Sequence, residues 1–170
     1  DDGIANALSA SFQGIDTPPI AITSGTRVTT GITGVGISVA GTGYVVGEII
    51  TLATGTNGKV IVTSISAGGG VTGIALYSAG SVFSVATFAQ ASTTGVGTGF
   101  VASVTSIGIV CNVVTAVNHN FKIGDQIIIK GDALYNSVYT ITGTNTLTSF
   151  DFVTASAGSM TAAVAQSATV

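Results

Sequence analysis

Seven carboxylates, one histidine and one cysteine are the usual metal-ligating side chains among 170 residues. His119 is the single imidazole. Serine and aspartate are present, so a Ser-His-Asp triad is conceivable by residue type. No Gly-x-Ser-x-Gly elbow accompanies it, and no stretch reads as an oxyanion hole. The plainer expectation is a histidine on top of a hairpin, bonding its backbone. Glu48 and Asp125 could be read as the carboxylate pair of a glycosidase. They occupy equivalent places in a repeated turn, which explains them without catalysis. His119 and Cys111 do not make a zinc site within one chain. Asp1-Asp2 and Asp132 lack the spacing of a calcium loop. Gly41-Thr42-Gly43 is followed by Gly47, one place too far for a dinucleotide fingerprint. Gly55 to Lys59 fails as a phosphate loop, because Val60 stands where a hydroxyl is needed. Tyr44, Tyr77, Phe100 and Phe121 could form a sugar-stacking surface, but such residues are more simply core at strand ends. No catalytic, cofactor-binding or metal-binding residue is assigned. The chain is expected to be non-enzymatic and to need no cofactor.

The elements around these residues centre on one device used twice. Tyr44-Val45-Val46-Gly47-Glu48-Ile49-Ile50-Thr51-Leu52 is the first copy, and Phe121-Lys122-Ile123-Gly124-Asp125-Gln126-Ile127-Ile128-Ile129 is the second. The aromatic and the β-branched residue two places on share a face of extended chain. Gly47 or Gly124 then allows a sharp bend. Glu48 or Asp125 beside it bonds the turn backbone. Alternate apolar residues after the turn point into a core. Tyr44, Gly47, Glu48, Phe121, Gly124 and Asp125 are therefore expected to be structural turn-strand residues.

Composition excludes several classes. Charged residues are only 6% of the chain, against 46% hydrophobic, where ordinary domains carry roughly 25% charged. No apolar run approaches the roughly 18 to 20 residues of a spanning helix, so no membrane partner is expected. The net charge is −3 and the pI about 4.5. Arg27, Lys59, Lys122 and Lys130 are scattered, so no nucleic-acid partner is expected either. A surface of Thr, Ser, Asn and Gly repels its neighbours weakly, which suits dense packing in an assembly. Cys111 stands alone and reads as a buried small hydrophobe.

Taken in order, residues 1–24 read as an extended N-terminal arm, with Thr17-Pro18-Pro19 forcing an extended path. Residues 25–106 read as a Gly-rich antiparallel β domain whose β character becomes clear at Arg27. Asn57-Gly58 suggests a type I′ hairpin turn. Strands are expected at Lys59–Ser66, Val71–Tyr77, Val82–Phe88 and Phe100–Ser106, with Gly95–Gly99 as a link. Residues 107–155 read as a small, five-strand, barrel-like module. It contains Ile109–Val117, the second device, Tyr139–Thr142 and Ser149–Val153, with a link at Gly143–Thr146. Residues 156–170 are an edge strand or a tail. Short strands punctuated by turns about every ten residues predict an all-β fold, an antiparallel β-sandwich or barrel-like modules.

The order of these motifs resembles modules of tailed-bacteriophage virion proteins. Gly41-Thr42-Gly43-Tyr44 through Leu52, then Lys59–Ile65, then Gly70–Leu76 and Ser78-Ala79-Gly80 is similar to the Gly-x-Gly-Tyr β repeat of phage tail, fibre and other structural proteins. Asn118-His119-Asn120-Phe121, Gly124-Asp125, Ile129-Lys130-Gly131, Tyr135-Asn136 and Tyr139-Thr140-Ile141-Thr142 resemble a second virion module, with Asn120 and Ser137 where glycine is usual. The resemblance implies a virion structural protein: a capsid decoration or cement protein, or a small head–tail or tail accessory, on the particle's head or tail. Its partners would be copies of itself, as a homo-oligomer, and a major capsid or tail protein. Subunit packing, strand addition at exposed edges and an arm crossing subunit boundaries would hold it there. The alternative is a receptor- or glycan-binding module of a tail fibre or cell-surface layer.

Overall fold

The computed structural model describes residues 18–156, 158–160 and 163–168. Its elements are β1 (Ile20–Thr42), β2 (Ile49–Leu52), β3 (Lys59–Ile65), β4 (Val71–Ser78), β5 (Ala86–Thr93), β6 (Thr98–Thr115), β7 (Gln126–Lys130), β8 (Val138–Thr146), β9 (Ser149–Val153) and β10 (Ala163–Ser167). They form one ten-stranded sheet in the order β1-β10-β7-β8-β9-β6-β5-β2-β3-β4, with a further β1–β6 pairing. Every pairing is antiparallel. The chain is all-β, with antiparallel strands as its alternating patterns predict.

The extra β1–β6 pairing organises the molecule. It closes β1-β10-β7-β8-β9-β6 into a ring. Ile22, Val113, Ile127, Ile129, Ile141, Phe150 and Phe152 fill that ring, with Tyr135 and Cys111. The far halves of β1 and β6 join β5, β2, β3 and β4 around a second core of Tyr44, Ile50, Leu52, Val60, Val62, Phe88 and Phe100. β4 ends the sheet but returns against β1. Ile32 N–H donates to Ala79 O at 2.9 Å, and Tyr44 N–H to Gly69 O at 2.9 Å. Paired edges of this kind leave little backbone to template another chain. Among the described residues, the order of hydrogen-bonded strands ends at β4, beside β1.

Two strands are much longer than the sequence suggests. β1 and β6 pair from Ile22 with Thr115 to Thr42 with Thr98, through several register shifts. Such bulges bend a strand and increase its twist, and so let one pair of strands serve both rings. Gly31, Gly34 and Gly36 lie inside the ladder, where Gly31 pairs with Gly108. The division at 106/107 therefore falls within β6. Of the arm expected over 1–24, residues 1–17 lie outside the described residues, and β1 begins at Ile20 instead of near Arg27.

Local differences have local causes. The Asn57-Gly58 turn is not type I′, because only Asn57 has positive φ there; Thr54 and Gly55 are the consecutive left-handed pair. Val82 is also left-handed, with φ 62°. Its N–H donates to Thr30 Oγ1 at 2.8 Å, so this segment wraps onto β1 and β5 starts later, at Ala86. Gly143–Thr146 belongs to β8, not to a link. A Cβ at Gly143 would lie 2.9 Å from Tyr77 O and 3.3 Å from Ser78 Cα, so glycine lets β8 pack against β4. β10 is no edge strand, since it pairs with both β1 and β7.

Candidate functional site

The two turn-strand devices have the same backbone geometry. Gly47 and Gly124 have φ of 90° and 93°. Glu48 N–H donates to Val45 O at 3.2 Å, and Asp125 N–H to Lys122 O at 3.1 Å. Positive φ at the third residue and a bond from first to fourth define a type II turn. The acid then closes the turn from its side chain. Val45 N–H donates to Glu48 Oε2 at 3.1 Å, and Lys122 N–H to Asp125 Oδ2 at 2.8 Å. Each turn also joins a distant strand: Gly47 N–H donates to Val62 O, and Gly124 N–H to Ile141 O.

Their surroundings differ. Glu48 is buried and clamps a second loop. Thr93 Oγ1 donates to Glu48 Oε1 at 2.5 Å, and Gly97 N–H donates to the same oxygen at 3.1 Å. Burial pushes the Glu48 carboxyl up. The bonds from Thr93, Val45, Gly97 and Gly95 outweigh that effect and hold it below the usual glutamate range. Tyr44 is fully buried, T-stacked on Phe100, and its hydroxyl donates to Gln90 Oε1. Asp125 is half-buried. The glycosidase reading of Glu48 and Asp125 finds no support in this arrangement, since each carboxylate is committed to its own turn and the two turns serve different cores.

His119 is buried, not perched on a hairpin. Its Nδ1 accepts from Phe121 N–H at 3.0 Å. Nδ1 is then unprotonated, so Nε2 carries the hydrogen and faces Thr146 O at 3.1 Å and Ser149 O at 3.3 Å. The ring stacks on Phe121 and meets Phe150 edge-on. With both nitrogens committed to backbone, the imidazole is held as a structural brace. Cys111 is buried as well. Burial pushes its thiol up to about 11, against the pull of the Tyr135 hydroxyl and with help from Asp151 and Asp132. Among the described residues, no three His, Cys, Asp or Glu side chains cluster to hold a metal; Asp1 and Asp2 lie outside them.

The feature that residue order does not suggest is the junction between the two rings. Asp151 is buried there. Its Oδ2 accepts from Ala79 N–H at 3.0 Å. Its Oδ1 accepts from Asn112 Nδ2 at 2.7 Å and Asn145 Nδ2 at 3.0 Å. Burial pushes this carboxyl above the usual aspartate range, against the lowering effect of those three bonds. One side chain thus ties the end of β4 to β6 and β8. Two clefts flank this clasp. One, of about 500 Å³, is lined by Asn57, Lys59, Asn112, Asn145 and Asp151 among others. The second, of about 460 Å³, is lined by Tyr77, Asn120, Phe121, Thr144 and Leu147 with His119. Thr146 lines both. Of the four aromatics considered for stacking, Tyr77 and Phe121 thus share a cleft, whereas Tyr44 and Phe100 are core.

The surface has its own pattern. Glu48 holds Val45 and Gly97 to one carboxylate, which places two turns side by side. Their tips expose Val45 (58%), Val46 (60%) and Val96 (83%). The only charged residue in 41–48 and 94–99 is the buried Glu48. At the His119 turn, Val117 and Leu147 are also exposed, and His119 N–H donates to Leu147 O at 2.9 Å. Both sets of turns therefore carry bare aliphatic side chains on a hydrogen-bonded frame. No family model, curated protein or solved structure matches this chain.

Proposed function

We propose that this chain is a non-enzymatic structural subunit of a virus particle. The specific reading is a tailed-phage capsid decoration or cement protein, or a small head–tail or tail accessory. It would act by packing against copies of itself and against a major capsid or tail protein. The observation that carries this reading is the uncharged aliphatic tip of Val45, Val46 and Val96, held rigid by the Glu48 clamp. Contiguous bare apolar surface marks association sites. A rigid tip gives up little conformational entropy when it docks. The motif order that resembles virion modules supplies the particle context. Packing, not edge pairing, is the mechanism that suits a sheet whose strands are nearly all paired.

Sedimentation velocity across a concentration series tests the packing step. The purified chain should assemble into a closed symmetric oligomer, as self-complementary patches favour. The double variant Val46→Asp/Val96→Asp should remain folded and shift toward monomer, because a buried unpaired charge is strongly unfavourable. A wild-type chain that stays monomeric throughout and fails to attach to particles refutes the proposal.

A further inference from the structure

We propose that the two clefts beside the end of β8 form one binding surface for a neutral oligosaccharide. This goes beyond the assembly reading and does not depend on it. Tyr77 and Phe121 come from distant parts of the chain yet line one cleft. Tyr77 is half-buried and, among the described residues, its ring packs against no other aromatic ring. The open face of Tyr77 suits the apolar face of a sugar ring, since a tyrosine combines an apolar face with a polar handle, while Phe121, stacked on His119 and edge-packed on Phe150, forms the apolar wall beside it. Asn120, Thr144 and Thr146 surround them. Beyond Thr146, the larger cleft continues with Asn57, Asn112 and Asn145. Amides and hydroxyls both donate and accept, as every sugar hydroxyl does.

Charge argues for a neutral ligand. Lys59 is the one cation lining either cleft, and Asp151 the one carboxylate. Phosphate and carboxylate ligands are usually held by converging cations or forked guanidinium groups, and these clefts hold no such array. Asp151 already accepts from Ala79, Asn112 and Asn145, so most of its acceptor capacity is spent inside the fold. The amide of Asn145 adds an independent sign. Its Nδ2 is fixed toward Asp151, because the reverse orientation would set oxygen against oxygen. Its Oδ1 is buried and, among the described residues, receives no hydrogen bond. Buried acceptors are nearly always paired.

The test is saturation-transfer NMR and calorimetry on the full chain, with neutral oligosaccharides of glucose, galactose, mannose and N-acetylglucosamine, and with sialylated counterparts. At least one neutral oligosaccharide should bind saturably. Tyr77→Ala should weaken it roughly tenfold, and Tyr77→Phe should retain most of it. Asn120→Gly, which removes the exposed amide and keeps the left-handed backbone (φ 56°), should weaken it with the fold intact by circular dichroism. The proposal is overturned if no neutral oligosaccharide saturates at up to about 10 mM. Binding that survives both Tyr77→Ala and Asn120→Gly overturns it too, as does a preference for the sialylated forms.

Discussion

Removing Glu48 should cost far more than removing Asp125, although the two acids occupy the same place in the same turn. Glu48 accepts from Val45 N–H, Thr93 Oγ1 and Gly97 N–H, whereas Asp125 accepts a local bond from Lys122 N–H. Hydrogen bonds to charged groups contribute roughly 1.5–3 kcal/mol each, and a buried donor left unpaired costs about 1–3 kcal/mol. Water entering the space left by Ala recovers part of that. Glu48→Ala is therefore expected to lose roughly 3–5 kcal/mol and Asp125→Ala about 1 kcal/mol. Urea unfolding followed by circular dichroism measures both, with the two-state approximation checked by a second probe. The pH dependence supplies a second signature. Hydrogen bonds lower the Glu48 pKa in the fold, so its contribution is complete above the ordinary value of 4.5 and fades as pH falls through the depressed one. The stability gap between wild type and Glu48→Gln should be wide at pH 7 and close in acid. Equal costs for the two alanine variants, or a gap that widens in acid, would refute the clamp.

Gly143→Ala should destabilise the chain by about 1–3 kcal/mol through overpacking, because its Cβ would crowd Tyr77 O at 2.9 Å and Asp151 Oδ2 at 3.0 Å; an unchanged melting temperature contradicts the close approach of β8 to β4. Asp151 carries the opposite pH signature from Glu48. Its folded pKa is raised by burial, so its favourable contribution is full below the unfolded value and declines as pH rises through the raised one. Wild-type stability relative to Asp151→Asn should therefore fall as pH rises above 3.8, and a rise would overturn the assignment of a desolvated carboxylate. Cys111, buried and pushed up to about 11, should resist a thiol reagent at pH 8 in the native chain and react fully in denaturant, since the thiolate is the reactive form. Fast native labelling would contradict its burial.

What the sequence makes legible is local. Tyr44 to Leu52 and Phe121 to Ile129 carry aromatic, glycine, acid and alternating aliphatics within nine positions, enough to specify a turn and the strand after it. Long-range consequences leave no such trace. Nothing near Glu48 signals that Thr93 and Gly97 will bond it, 45 and 49 residues away. Gly31 and Gly34 carry no side chain to signal a strand, yet opposite β6 they sit where the two strands approach closely: a Cβ at Gly31 would lie 2.6 Å from Val110 Cγ2 and one at Gly34 2.5 Å from Ser106 Oγ, beside register shifts in the ladder. Ser149 to Val153 alternates as a strand with one wet face, yet Ser149, Phe150, Asp151 and Phe152 are all buried. The face opposite the core meets the junction, a fact of topology that alternation does not encode. β10, mostly small residues, has weak strand character by itself and is set by β1 and β7 on either side.

The central claim is membership of a virus particle. Peptide mass spectrometry across a density gradient of the source material tests it most directly. The account predicts that the chain bands with intact particles in high copy, with its ratio to the main shell protein separating a decoration protein from a tail component. A chain that stays at the top of the gradient, or travels with cell envelopes, contradicts the account.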